Sequence, residues 1–249
     1  MKVFACYNIK GGVGKTATTV NLAYLASQEG AKTLIWDLDP QGAASFYLRI
    51  KPKIKGGTKA LIKQKREMDD FIKGSDYENL DLLPADFSYR NMDLVLEDSK
   101  KPLRRLHKLL KPLADEYDIL FLDCPPSISL VSENVFNAAH ALLIPTIPTV
   151  LSLRTLQQIE DFFAKEHLNL NRLMPFFSMV DMRKSLHKDI VENPPQSQVP
   201  FLQSYVPYAS EVEQMGVQRA AVNAYAGKSR SAAAYVQLWQ EIKTRIQID

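Results

Sequence analysis

Residues 9–16 read Ile9-Lys10-Gly11-Gly12-Val13-Gly14-Lys15-Thr16, a glycine-rich turn ending in Gly-Lys-Thr between an apolar run at 3–6 and a helix-like segment at 18–27. Strand, glycine turn and helix in that order build a phosphate cradle. Glycines permit positive φ and bring backbone N–H groups up to phosphate oxygens, while the helix N-terminus adds partial positive charge. Lys15 is then placed to meet the β and γ phosphates of a nucleotide, and the Thr16 hydroxyl to hold Mg²⁺.

Outward from this turn, short apolar runs at 33–36, 80–83, 119–122, 141–144 and 176–180, and a weaker one at 201–206, alternate with longer periodic segments. Such alternation predicts βαβ units: an α/β fold with a doubly wound, mostly parallel sheet and helices on both faces. Ligands of that architecture sit beyond the carboxyl ends of the strands. Two acidic segments follow strands and converge on the same edge. Asp37-Leu38-Asp39-Pro40-Gln41-Gly42 carries two carboxylates spaced to point the same way. In isolation it also reads as a solvated turn with a helix cap. The run at 117–126 ends Leu122-Asp123-Cys124-Pro125-Pro126, an apolar strand closed by an acid and stopped by two prolines, the form of a Walker B element. Asp123 there accepts hydrogen bonds from Mg²⁺ waters, since Mg²⁺ retains several of them.

The loop departs from the ordinary G-x-x-x-x-G-K-[ST] pattern, because Ile9 replaces the first glycine and Lys10 supplies a second lysine. Lys-Gly-Gly-Val-Gly-Lys-Thr, followed by Asp-x-Asp-Pro-Gln-Gly and Asp-Cys-Pro-Pro, resembles the deviant Walker A ATPases of the ParA/MinD family, on the ParA side. The resemblance runs from residue 2 to about residue 240. It implies binding of ATP and Mg²⁺ by the loop from Lys10 to Ala17, that is Lys10, Gly11, Gly12, Val13, Gly14, Lys15, Thr16 and Ala17. Ala17 stands where a second threonine is common, so the α-phosphate there is left to the backbone N–H. The resemblance implies that Asp39 positions the attacking water, that Asp37 stands near the Mg²⁺ waters with Asp123, and that Asp181 and Pro207 border the base and ribose. It also implies that Lys10 reaches the partner's ATP in a nucleotide-sandwiched homodimer. Two desolvated lysines would repel by several kcal/mol at an effective dielectric near ~20, so a triphosphate is needed between them.

Formal charge is +3 and the isoelectric point is near 8.7, so an anionic partner must be met by a local patch. ParA-type proteins bind double-stranded DNA without sequence preference through basic residues late in the chain. The corresponding residues are Arg219, Lys228 and Arg230; a second basic stretch, 49–66, holds eight lysines and arginines before the first acid, Glu67. Aromatic interleaving is absent, which argues against stacking on single strands.

At 249 residues the chain suits one large domain over 1–249 that buries roughly three-quarters of its unfolded surface. Cys6 and Cys124 end or follow apolar runs and read as reduced core thiols. There is no run of eighteen apolar residues, and neither a signal peptide nor a leading DNA-binding domain precedes the first strand. A cytoplasmic, nucleoid-associated protein is expected. A final helix at 231–246 carries Tyr235, Leu238, Trp239, Ile242 and Ile246 on one stripe. Glu241 and Asp249 accompany Lys243 and Arg245, so the stripe is expected to pack on the sheet and not on a membrane. The resulting expectation is a dimerising ATPase that positions DNA or another large cargo, stimulated by a ParB-like or other adaptor. The alternatives are a MinD-like membrane-cycling regulator and, on the same fold, an ATP-dependent ligase or an iron–sulfur protein.

Overall fold

The apolar runs fold into seven strands: β1 (Lys2–Cys6), β2 (Thr33–Asp37), β3 (Lys73–Gly74), β4 (Leu80–Leu83), β5 (Ile119–Asp123), β6 (Ala141–Thr146) and β7 (Leu173–Phe177). They form one sheet of order β3-β4-β2-β5-β1-β6-β7. All neighbours are parallel except the two-residue β3, which runs antiparallel to β4. Every residue of β2, β5, β6 and β7 is buried, which is why these strands read as continuous and not alternating apolar runs. The structure is a computed structural model and describes residues 1–247; Asp249 lies outside the described residues.

The helices are α1 (Lys15–Gln28), α2 (Ala43–Tyr47), α3 (Gly57–Ile62), α4 (Met92–Glu97), α5 (Arg105–Leu110), α6 (Leu130–Ala138), α7 (Val150–Lys165), α8 (Ser185–Glu192), α9 (Ser210–Gln218), α10 (Val222–Tyr225) and α11 (Arg230–Ile246). One core layer packs α3 to α7 against the sheet through Leu61, Leu96, Leu106, Phe136 and Phe163. The other packs α1, α2, α9, α10 and α11 through Val20, Ala44, Met215, Val222 and Trp239. The doubly wound arrangement predicted from the alternation is the one observed.

The stripe of α11 is core. Tyr235, Leu238, Trp239 and Ile242 are buried, and the Trp239 ring meets Phe4 at 5.8 Å and Phe121 at 6.0 Å. Its Nε1 donates to Glu29 Oε2 at 3.0 Å, and Lys243 Nζ donates to the same oxygen at 2.8 Å.

Two strand expectations need correction. The run at 176–180 begins earlier, at Leu173, and leaves the ladder after Phe177, because Met179 turns the chain with φ 55. Residues 201–206 form no strand. Leu202 N and Val206 N still donate to Pro175 O and Phe177 O of β7 at 2.8 and 2.9 Å, but between them the amides of Gln203 and Ser204 donate to the carboxylate of Glu241 at 2.6 and 2.7 Å, so the ladder is interrupted. Val180 and Pro207 pair just beyond, as an isolated parallel bridge.

Candidate nucleotide site

The turn between β1 and α1 is held from below by Asn8, fully buried, whose Nδ2 donates to Pro145 O at 2.9 Å. Its Oδ1 accepts from Lys10 N at 2.9 Å, which fixes where the turn leaves the sheet. Gly12 and Gly14 take φ of 70° and 94°, open to glycine at little cost. A Cβ on Gly14 would stand 2.9 Å from Ser178 Oγ, whereas Gly11 and Gly12 have nothing within 4 Å above them. Helix α1 starts with Gly14 at its N-cap, without a side-chain cap and without an acid in its first turn. Its first N–H groups are therefore left for an external anion.

That anion's space is a cavity of about 320 Å³ lined by Gly11, Gly12, Gly14, Lys15, Thr16, Ala17 and Asp39 on one side. Met179, Pro207, Tyr208, Val212 and Tyr235 line the other. Val13 is completely buried beneath the turn and serves as its anchor, not its lining. Lys15 is nearly buried, and its Nζ donates to Lys10 O at 3.1 Å, closing the turn over the cavity. Lys10 points elsewhere: its Nζ donates to Ser152 Oγ at 3.2 Å, in the first turn of α7.

Beneath the cavity Asp37 and Asp123 end neighbouring strands in register. Both are fully buried. Asp37 Oδ2 accepts from Ser45 N at 2.8 Å and Ser45 Oγ at 2.7 Å, and Asp123 Oδ1 accepts from Thr19 Oγ1 at 3.4 Å. Asp37 Oδ1 and Asp123 Oδ2 have no hydrogen-bond partner. Burial pushes Asp37 up to about 6 from its ordinary 3.8, against the two Ser45 hydrogen bonds. Burial, then the charge of Asp37, pushes Asp123 up as well, opposed by the Thr16 hydroxyl and the Lys15 ammonium. Such orphaned acceptors call for a partner the protein does not supply. Among the described residues no three histidines, cysteines or acids cluster closely enough to hold a metal alone. A hydrated Mg²⁺, bound mainly through waters and phosphate oxygens, fits this donor set.

The remaining predicted residues divide. Pro207 lines the cavity, while Asp181 does not: its carboxylate takes the guanidinium of Arg183 at 2.8 and 3.0 Å, which holds it down at about 2. Arg219, Lys228 and Arg230 lie outside the cavity. Arg219 is half-buried, with Nε donating to Phe46 O at 2.9 Å; Lys228 is exposed, and Arg230 donates to Tyr205 OH at 3.2 Å. Asn8, Ser45, Thr19, Ser152 and Met179 were not anticipated. Asn8 immediately before the turn, Ser45 eight residues after Asp37 and Met179 two before Asp181 each lie beside a motif, whereas Thr19 sits inside a helix and Ser152 meets Lys10 across 142 residues.

A strand, an uncapped glycine turn and a helix on a doubly wound sheet, with acids at the adjacent strand ends, define a P-loop nucleotide-binding protein. An AAA domain family model matches residues 1–175. The chain is 28% identical over 247 residues to the sporulation initiation inhibitor protein Soj of Bacillus subtilis, covering 97% of this chain and 98% of Soj. It is 34% identical over 199 residues to the chromosome partitioning protein ParA of Myxococcus xanthus, covering 77% of this chain and 69% of that protein. Among solved structures it superposes on cobyrinic acid a,c-diamide synthase from Mycobacterium smegmatis, with bound ATP analog and magnesium. The TM-score is 0.81 at 24% identity, covering 96% and 93% of the two chains. That likeness is one of fold. The chain belongs to the ParA/MinD family of P-loop partition ATPases.

Proposed function

We propose that this chain, working as one domain, binds ATP with Mg²⁺, dimerises around it, binds duplex DNA without sequence preference and positions DNA or another large cargo. The observation that carries this reading is an uncapped helix start and Lys15 on one cavity at the sheet's carboxyl edge, with two buried carboxylates, each keeping an orphaned oxygen, at the adjoining strand ends. Within it, the N–H groups from Gly11 to Ala17 and the Lys15 ammonium hold the phosphates. Thr16, Asp37, Asp39 and Asp123 would hold the Mg²⁺, the acids through its waters, and the ion would supply neutralisation of phosphate charge.

Asp39 lines the cavity two residues beyond the buried Asp37, and its Oδ1 is oriented by Gln41 N at 2.9 Å. We assign it the positioning of the attacking water. Lys10 leaves Ser152 for the partner's phosphates, where it offsets charge developing on the transferred phosphoryl group. Pro207 and its neighbours form the wall for base and ribose; Asp181, committed to Arg183, lies outside that wall. Arg219, Lys228 and Arg230 are the DNA contacts of this reading, and an adaptor protein accelerates hydrolysis.

A random-sequence duplex titrated across a salt series with ATP, ADP or no nucleotide tests the whole reading. ATP-dependent binding that weakens with a logarithmic slope of about −0.9 per phosphate contacted is expected. Dimerisation under ATP without any duplex binding would defeat it and leave a membrane-cycling or small-molecule role.

A further inference from the structure

The basic stretch at 49–66 does not stand alone on the surface. Downstream, 100–111 carries Lys100, Lys101, Arg104, Arg105, Lys108 and Lys111 without an acid. The fold gathers Lys63, Lys100, Lys101, Arg104 and Lys108 around a cleft of about 660 Å³ where α3 meets α5. Its one lining acid, Asp98, is taken by Lys63 at 2.6 Å. Arg105 forms the wall, its guanidinium tied to the carbonyl of Ile62. Lys100, Lys101, Arg104 and Lys108 are exposed and have no ion-pair partner among the described residues.

A second cleft, of about 520 Å³, brings Lys51, Lys53, Lys55 and Lys73 together with a single acid, Asp70. It starts beside Arg49, whose guanidinium donates to Gln218 O at 3.1 Å, next to Arg219. Lys73 of the edge strand β3 lines this second cleft, and α3 (Gly57–Ile62) joins it along the chain to the first.

We infer that this band is a second seat for the phosphate backbone of duplex DNA, extending the contact beyond Arg219, Lys228 and Arg230. The inference rests on the DNA-binding reading above. Lysine predominates, a point charge suited to phosphate without base readout. No Phe, Tyr or Trp lines the first cleft, whose one ring is the imidazole of His107, so a row of stacking platforms for a single strand is lacking. Its only apolar lining residue is Ile62, too little to anchor an acidic protein segment, whose binding energy would need buried apolar or aromatic contacts.

The test compares fluorescence anisotropy of a random duplex, with ATP and across salt, for four proteins: wild type, K100Q/K101Q/R104Q/K108Q, K228Q/R230Q, and the charge-matched control K2Q/K165Q/K184Q/K188Q. The substituted side chains are exposed in every case, and thermal melts verify that each variant is folded. The expected result is a slope flattened by about one per contacting cation removed in the cleft variant, with affinity down at least about tenfold at fixed salt, and little change in the control. A cleft variant that behaves as the control overturns the inference and leaves the late-cluster reading intact. Absence of duplex binding by the wild type overturns both. Loss of binding to poly-glutamate with an unchanged DNA slope also overturns it, assigning the cleft to an acidic protein.

Discussion

Asp37 and Asp123 face each other as register partners at the ends of β2 and β5, and each keeps one carboxylate oxygen with no hydrogen-bond partner. Two buried like charges without a cation oppose folding, so the free protein holds these acids at raised pKa. Their stabilisation of the fold is complete below the ordinary carboxylate range and is lost as pH rises through the folded value, about 6 for Asp37.

Stability of the free protein should therefore fall between pH 4 and 7, by on the order of 3 kcal/mol from Asp37. Asp37→Asn, which keeps an acceptor for Ser45, should remove most of this dependence, raise stability at pH 7 and weaken Mg²⁺-dependent nucleotide binding. Urea unfolding from pH 4 to 8 reads the first two effects. A free protein that gains stability across that range would contradict the assignment.

Glycines of the turn should separate into two kinds. Gly14→Ala meets Ser178 Oγ at 2.9 Å and forces an L-residue to φ 94°, at a cost of about 1–3 kcal/mol and with loss of nucleotide binding. A Cβ at Gly11, as in Gly11→Ala or the first carbon of Gly11→Val, meets nothing within 4 Å. Gly11→Val should fold as the wild type and bind one nucleotide per monomer, yet fail to dimerise, because the added side chain occupies the approach of the second subunit. Calorimetric titration with the ATP analogue and sedimentation separate the two outcomes.

Chemistry confined to one stretch of chain was legible in advance. The turn, Asp37-Leu38-Asp39 and Asp123 each announce themselves locally, because a strand end fixes where its acid points. What reached the site from afar was not legible. Ser152 receives Lys10 across 142 residues, a pairing that only the crossing order of the sheet creates, and even Ser45, eight residues after Asp37, clamps it only because the loop between folds back. The segment at 201–206 differs for a related reason: Leu202 and Val206 do bond to β7, but Glu241 of a distant helix takes the two amides between them and no strand forms. The edge strand β3, two residues long, has no period to detect.

Helix α11 should be a stability element and not a reversible anchor. Trp239→Ala empties a site shared with Phe4 and Phe121 and should cost about 3–5 kcal/mol. Trp239→Phe keeps the ring contacts and removes only the Nε1 donor to Glu29, with Lys243 still in place, so about 1 kcal/mol is expected. Denaturant midpoints give both values. Vesicle pelleting of the wild type should show no nucleotide-dependent membrane binding, and binding lost on substitution at Trp239 would reverse the conclusion.

Lys10 and Lys15 answer to different partners in the free chain, and the difference sets the last prediction. Lys15 Nζ is spent within the turn on Lys10 O, while Lys10 Nζ is held by Ser152, itself hydrogen-bonded to Thr149 Oγ1 at 3.1 Å. The Ser152 contact is a neutral hydroxyl, weaker than the phosphate of a bound triphosphate, so Lys10 exchanges readily once a partner's nucleotide arrives. Ser152→Ala, which removes a buried hydroxyl bonded to Lys10 and Thr149, should cost about 1 kcal/mol of stability yet favour the dimer. Lys10→Ala should bind nucleotide as a monomer and not dimerise, whereas Asp39→Ala should bind ATP, fail to position water and persist as a dimer. Sedimentation velocity of the three proteins with ATP and Mg²⁺ distinguishes these states. Full dimerisation of Lys10→Ala would show that Lys10 serves its own subunit, and would return the contact with Ser152 to a structural role.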